Sequence, residues 1–247
     1  MILSISVDRK KAMQLRSKFA IKLNQGSSLS LLLLILSAIS CSDADIPVEH
    51  QLYSYDFESD YTNIDSVYVS EFNGSRVLGP FNNSGFSVHW EGIPDHDYIR
   101  LTFDLYIHDT WEGNSNNSNT GLPDHDAWFI ELDPHLKIKA HEKIYFETTF
   151  SNGPCEPGWC FGQSYPNEFP FYNDERTGAY VKYLPGRCLY SDSPFGSSMY
   201  RINKIFPHNR SDLVAAFFDR LKQDTPFPPL CEESWSLDNL NISLIKY

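Results

Sequence analysis

The sequence predicts an all-β protein built as a single β-sandwich of jelly-roll type. Three observations lead there: apolar residues beyond position 52 recur mostly with period two, aromatic residues make up 15% of the chain and mix with β-branched ones inside those runs, and clusters of Gly, Pro, Asn and Asp separate the runs. Alternation puts successive side chains on opposite sheet faces, and many short strands between turns give two facing sheets.

Taken in order, Tyr53–Glu58, Gly85–Trp90, Tyr98–His108, Ala127–Leu132, Lys143–Phe150, Met199–Phe206 and Ser234–Ile245 read as strands. Turn-rich stretches at Asn82–Gly85, Gly92–Asp97, Gly113–Asp126 and Pro154–Asn167 divide them. Asp212–Lys222 has the propensity of a helix, yet its first half is assigned to strand. Along Tyr98–His108 the alternation sends Leu101, Phe103, Leu105 and Ile107 to one face, and Thr102, Asp104, Tyr106 and His108 to the other. No second domain or long repeat is visible. The short echo of Pro94–Asp97 in Pro123–Asp126 is too brief to count as a repeat.

Residues 1–40 read as a signal peptide. Six basic residues precede an apolar run from Leu29 to Ser40, which falls short of the about 20 apolar residues that span a bilayer. Two cleavage readings compete. Ala38 and Ser40 satisfy ordinary signal cleavage, whereas Ser37-Ala38-Ile39-Ser40-Cys41 resembles a lipobox in which Cys41 is acylated. The acidic stretch behind Cys41 resembles the signal that sends some bacterial lipoproteins to the cell surface. Either reading places the chain outside the cytoplasm, as an outer-membrane or cell-surface lipoprotein or as a secreted protein. Residues 41–51 then form the lipobox cysteine and a tether, and residues 52–247 the sandwich domain.

Four cysteines remain after Cys41, an even set suited to an oxidising compartment. Of the three possible pairings, Cys155 with Cys160 across a Pro- and Gly-containing loop is preferred, which leaves Cys188 with Cys231. The absence of a CxxC pair argues against zinc. The whole chain has net charge −12, and the leader carries six basic residues against one acid, so the remainder stands near −17. Such a surface repels phosphate backbones and disfavours nucleic acid as a partner. The five N-x-[ST] sequons, at Asn73, Asn82, Asn116, Asn209 and Asn241, are glycan acceptors only in a secreting eukaryote.

The segment Phe103-Asp104-Leu105-Tyr106-Ile107-His108-Asp109-Thr110-Trp111-Glu112-Gly113-Asn114 resembles the F-D-L-Y-x-x-D-[ST]-W-[DE]-G-N element of a family of extracellular jelly-roll domains related to concanavalin-type lectin folds. Further elements follow in the same order: Pro123–Trp128, Thr149–Asn152, Gln163–Pro166 and Glu233–Asn239. The resemblance covers most of residues 53–247. It departs at the inserted Cys155–Cys160 loop and at Ser236, where the family usually has Gly. It implies the fold; function does not follow, because such domains are attached to many different proteins.

Hard cations such as Ca²⁺ take six to eight oxygen ligands, commonly from acidic loops. Asp109, Glu112, Asn114, Asp124 and Asp126 could supply several of them after the Tyr98–His108 strand, although without EF-hand spacing. Glu58 and Asp238 form a second candidate pair, which resembles the early acid and late Asp that hold a structural calcium in carbohydrate-binding jelly rolls. Six of the eight histidines lie between His89 and His141 but match no compact metal motif.

Glu131 and Asp133 resemble part of the E-x-D-x-x-E strand of jelly-roll glycosidases, but the third acid is missing and Pro134 follows. Trp159, between Cys155 and Cys160, and Tyr165 nearby are the candidate ligand-binding residues, the indole by stacking on a sugar ring. The expectation is therefore an exported cell-surface binding or adhesion module without a catalytic set, with a glycan or surface protein as ligand and calcium as a structural ion. A jelly-roll glycoside hydrolase or a purely structural surface domain are the alternatives. Membrane contact would come only through a lipid at Cys41.

Overall fold

The computed structural model describes residues 46–59, 68–114, 125–137, 139, 142–153, 161–222 and 226–247. Cys41, Asp124, Cys155, Trp159 and Cys160 lie outside the described residues. Among the described residues, eleven strands occur in chain order: β1 (Val48–Tyr55), β2 (Val69–Phe72), β3 (Ser75–Phe81), β4 (Gly85–Glu91), β5 (Tyr98–Asp109), β6 (Ala127–Leu132), β7 (Ile144–Thr149), β8 (Val181–Leu184), β9 (Ser197–Pro207), β10 (Asp212–Arg220) and β11 (Glu233–Lys246). One helical turn, α1 (Pro229–Glu232), leads into β11.

The strands form two antiparallel sheets. One has the order β2-β3-β11-β5-β9-β8 with β1 also paired to β11; the other has the order β4-β10-β6-β7. Strand β11 is the spine of the larger sheet. One edge of it pairs with β5 along its length, while the other edge is divided, with Leu240–Lys246 facing β1 and Trp235–Leu237 facing β3. This is the predicted β-sandwich of jelly-roll type.

The core follows from the alternation. Ile99, Leu101, Phe103, Leu105 and Ile107 of β5 are buried, as are Leu213, Ala215 and Phe217 of β10 from the opposite sheet. Between the layers Trp128 meets Trp235 edge to face at 5.8 Å, and within the smaller sheet Phe86 stacks on its cross-strand partner Phe217 at 4.8 Å. Truncating an indole such as Trp128, Trp111 or Trp235, each fully buried, to Ala costs about 3–5 kcal/mol.

Three expectations are corrected. The strand edge begins at Val48, so Val48–Gln51 is not tether: it pairs with Lys246–Ser243, and that backbone pairing orders it. Asp212–Arg220 is strand throughout, because tertiary pairing with β4 and β6 on both edges overrides helix propensity. Strands β2, β3 and β8 were not expected. The first two meet at Asn73-Gly74, both with positive φ, the two-residue hairpin turn for which Asn-Gly is the preferred sequence.

Candidate functional site

Strand β5 ends at Asp109, whose left-handed backbone (φ 63°) turns the chain across the rim of the sandwich. Its buried carboxylate accepts backbone N–H bonds from Arg187 (3.2 Å), Cys188 (3.4 Å) and Tyr190 (3.1 Å). Gly186 is required there: a Cβ at that position would lie 2.3 Å from the carboxylate oxygen Oδ1 of Asp109. The Cys188–Cys231 disulfide, paired as expected, ties the same loop to α1. Asp109 thus organises a loop, and burial pushes its carboxyl above the ordinary value despite three amide donors.

Polar side chains that the sequence reading quoted only as motif letters hold the rest of the rim. Asn152 donates to the Ile107 carbonyl (2.8 Å) and accepts from the Ser198 hydroxyl (2.6 Å). The fully buried Gln163 accepts from the backbone N–H groups of Ser151 and Arg176 and from the Tyr200 hydroxyl, and its amide donates to the carbonyls of Tyr165 and Thr177. With every polar atom partnered, Gln163 is a rigid hub. Sequence alone flags Asn152 and Gln163 only through their motifs, because a buried amide is recognised by partners distant in the chain.

These supports frame a cavity of about 400 Å³ lined by Asp109, Thr110, Glu112, Asn152, Gly153, Phe161, Arg176, Tyr190, Ser193 and Phe195. Aromatic rings and fixed polar groups share its wall. Six aromatics on residues 171–195 are about half exposed: Phe171, Tyr172, Tyr180, Tyr183, Tyr190 and Phe195. Burial lowers the pKa of the Arg176 guanidinium, which nevertheless remains the one buried cation on this wall.

The predicted calcium ligands are distributed over separate places. Asn114 donates to the Phe171 carbonyl (2.7 Å), and its side-chain oxygen accepts from the hydroxyls of Thr149 and Ser164, so it is engaged in loop closure. Asp126 is buried, accepts the backbone N–H groups of Glu112 (2.7 Å) and Lys222 (3.2 Å), and faces Glu233. Desolvation raises Asp126 to about 7; Glu233, desolvated and beside Asp126 and Glu112, is raised so far that it keeps its proton. Glu58 and Asp238 do come together, bridged by the Ser75 hydroxyl at 2.6 and 3.1 Å. Among the described residues, no group of three or more His, Cys, Asp or Glu side chains is placed to hold a metal ion. Asp109, Asn114 and Asp126, expected as loop ligands, accept hydrogen bonds from groups of the protein itself.

Tyr165 is also corrected. It is buried against Phe150 and Tyr200, each about 5.1 Å away, and belongs to the core rather than to a ligand face. Glu131 pairs with Lys143 at 2.7 Å, while Asp133, beyond the end of β6, is buried against His208 (3.1 Å) and accepts the Val214 N–H. The two carboxylates therefore have different partners. Of the clustered histidines, His96 meets His208 across a 2.7 Å ring-nitrogen contact, and His108 lies buried between the Ser197 and Ser236 hydroxyls, its pKa lowered to about 3 by desolvation.

Comparison with protein-family models and with curated proteins gives no match. Among solved structures, the chain is similar to the family GH115 4-O-methyl-α-glucuronidase BtGH115A, described as specific for decorated arabinogalactans, at 6% identity and a TM-score of 0.33. That match covers 78% of this chain and 17% of the glucuronidase. It is also similar to basic winged bean lectin, solved with Tn-antigen, at 12% identity and a TM-score of 0.26 over 80% of this chain and 97% of the lectin. Likenesses this low carry no functional argument.

Proposed function

We propose that this chain is an exported surface-binding module whose rim cavity takes a saccharide. The observation that carries the reading is the cavity wall itself. It sets the rings of Phe161, Tyr190 and Phe195 beside the fixed polar groups of Thr110, Asn152, Arg176 and Ser193. Sugar rings present an apolar face and a hydroxyl edge, and a wall of this kind addresses both. Small-ligand sites have cavities of about 300–1,000 Å³, and this one falls within that range. Export is supported by the leader and by the Cys188–Cys231 disulfide, which suits an oxidising compartment.

Glycan-array screening of the mature domain, with and without EDTA, followed by calorimetric titration of the hits, tests the proposal. Phe195→Ala and Phe161→Ala should each weaken binding by about tenfold, the effect of losing a stacked ring. No binding across the array, or hits untouched by both substitutions, would remove the cavity from consideration.

A further inference from the structure

We infer that the rim cavity selects a carboxylate-bearing saccharide, with Arg176 as the partner of the carboxylate; this rests on the cavity being a saccharide site. Arg176 is 6% exposed and lines the cavity. Its backbone is held in the left-handed region at φ 54°, fastened by its N–H to Gln163 Oε1 at 2.9 Å. A non-glycine residue kept there by a buried amide is positioned against its own preference, as happens where the surrounding structure needs the side chain in one place.

The guanidinium itself is only half satisfied. Nη2 donates to the carbonyls of Asn152 and Phe195 at 2.5 and 2.8 Å, and the ring of Tyr183 lies 5.6 Å from Cζ. Nε is buried without a partner. Among the described residues, Nη1 makes no hydrogen bond to protein. Neutral carbonyls orient a guanidinium but do not neutralise it, and a buried cation is ordinarily matched by a carboxylate.

Arginines with about a third or more of the side chain exposed have such matches, whereas the half-buried Arg187 donates to the Ser70 hydroxyl and has none among the described residues. Arg100 meets Glu49, Arg201 meets Asp104, Arg210 meets Asp133 and Asp212, and Arg220 meets Glu147, each within ion-pair distance. A protein with net charge −12 has acids in excess, but among the described residues Arg176 has no ion pair. The two acids on the cavity wall do not change this. The carboxylate of Asp109 is occupied by three backbone amides. Glu112 shares the wall and repels anions, so an entering carboxylate is directed to the Arg176 side, where Nη1 can donate to it.

Uronic and sialic acids combine such a carboxylate, ionised at neutral pH, with a ring face for Phe161 and Phe195. The test titrates the mature domain with galacturonyl, glucuronyl and sialyl oligosaccharides, each beside its methyl ester and its neutral parent sugar. An ester keeps the sugar and removes only the charge. For at least one pair, the acid should bind about tenfold or more tighter than its ester. Arg176→Gln should abolish that preference, and Arg176→Lys should restore part of it. Raising the salt concentration should weaken the acid and leave the ester unchanged.

Equal binding of acid and ester, or binding of neutral sugars alone, overturns the inference and leaves the saccharide site standing. No binding by any acid, ester or neutral sugar overturns both. Should Arg176→Gln fail to fold, shown by its melting curve, the acid–ester comparison on the unaltered protein decides by itself.

Discussion

Two pairs of carboxyl groups, one holding the candidate metal ligand Asp126 and the other the candidates Glu58 and Asp238, are managed in opposite ways. At the rim, Asp126 and Glu233 are both buried; desolvation drives both pKa values up, with Glu112 adding to the rise at each, and the pair keeps a proton on Glu233 that bonds to Asp126. At the seam where β3 meets β11, Glu58 accepts the Ser75 hydroxyl and the Arg76 N–H and is lowered, whereas desolvation, with Asp104 and Glu58 nearby, raises Asp238 to about 6. Ser75 has a single hydroxyl hydrogen. It donates it over the shorter contact to Glu58, so the contact to Asp238 is a full hydrogen bond only when Asp238 is protonated and donates in turn. A dry pair is thus settled by retaining a proton, and a half-open pair by a hydroxyl relay. Acidic letters near strand ends do not distinguish the two; burial does.

The largest expected effect is the pH dependence of the rim pair. Asp126 is raised in the fold, so between its unfolded value and about 7 the native state holds a proton that the unfolded state has released. Its contribution is full below about pH 4 and is lost as pH rises to about 7, amounting to at most about 4 kcal/mol for a shift of this size. His108 works in the opposite direction. It is lowered to about 3, so its contribution is full above pH 6.5 and declines as pH falls through that window. The two must therefore be separated by difference: in denaturant midpoints measured from pH 4 to 8, the unaltered domain should lose stability relative to Asp126→Asn as pH rises toward 7. Parallel curves would show that the rim pair retains no proton.

Next in size is the loss of the acceptor itself. Asp126→Ala strands the N–H groups of Glu112 and Lys222 and removes the partner of Glu233. At pH 6 the unfolding free energy should fall by about 3 kcal/mol, as for a buried multiply bonded acceptor. A fall below about 1 kcal/mol would mean that water replaces the carboxylate and that the rim is wetter than its burial indicates.

The same contrast explains what could be read from the sequence. Alternation along Tyr98–His108 and Ser234–Ile245 is a local signal, and it gave the sandwich, the spine strand and the inward face of Leu101, Phe103, Leu105 and Ile107. The hairpin at Asn73-Gly74 was equally legible in its turn residues, but its flanking strands are short, and Gly79-Pro80 within β3 resembles a breaker. The rim was legible only as a region. Asp109, Asn114 and Asp126 were identified as oxygen donors, which they are, but their donors come from residues 187–190, 149 and 164, and 222, far along the chain. Tyr165 was assigned to a ligand face because a loop aromatic next to proline reads as exposed, and the Phe150–Tyr200 pocket that buries it has no local signature. Arg176 carries no local signal for the same reason: its lack of an acid partner among the described residues is a property of three-dimensional neighbours.

The smallest expected effect sharpens the seam side of the comparison. Ser75→Ala removes the only hydroxyl between Glu58 and Asp238 while leaving the Arg76 N–H on Glu58. Stability should fall by about 1 kcal/mol, the usual net worth of one hydrogen bond. The more telling readout is carboxyl titration followed by NMR. Glu58 loses the largest cause of its lowered pKa and should move upward, while Asp238 loses a stabilising acceptor contact yet keeps its burial and its neighbour Asp104, so it should stay raised. If Glu58 does not move, the backbone N–H of Arg76 alone holds its charge. The relay would then have no part in tying β3 to β11, and the seam would depend on backbone pairing alone.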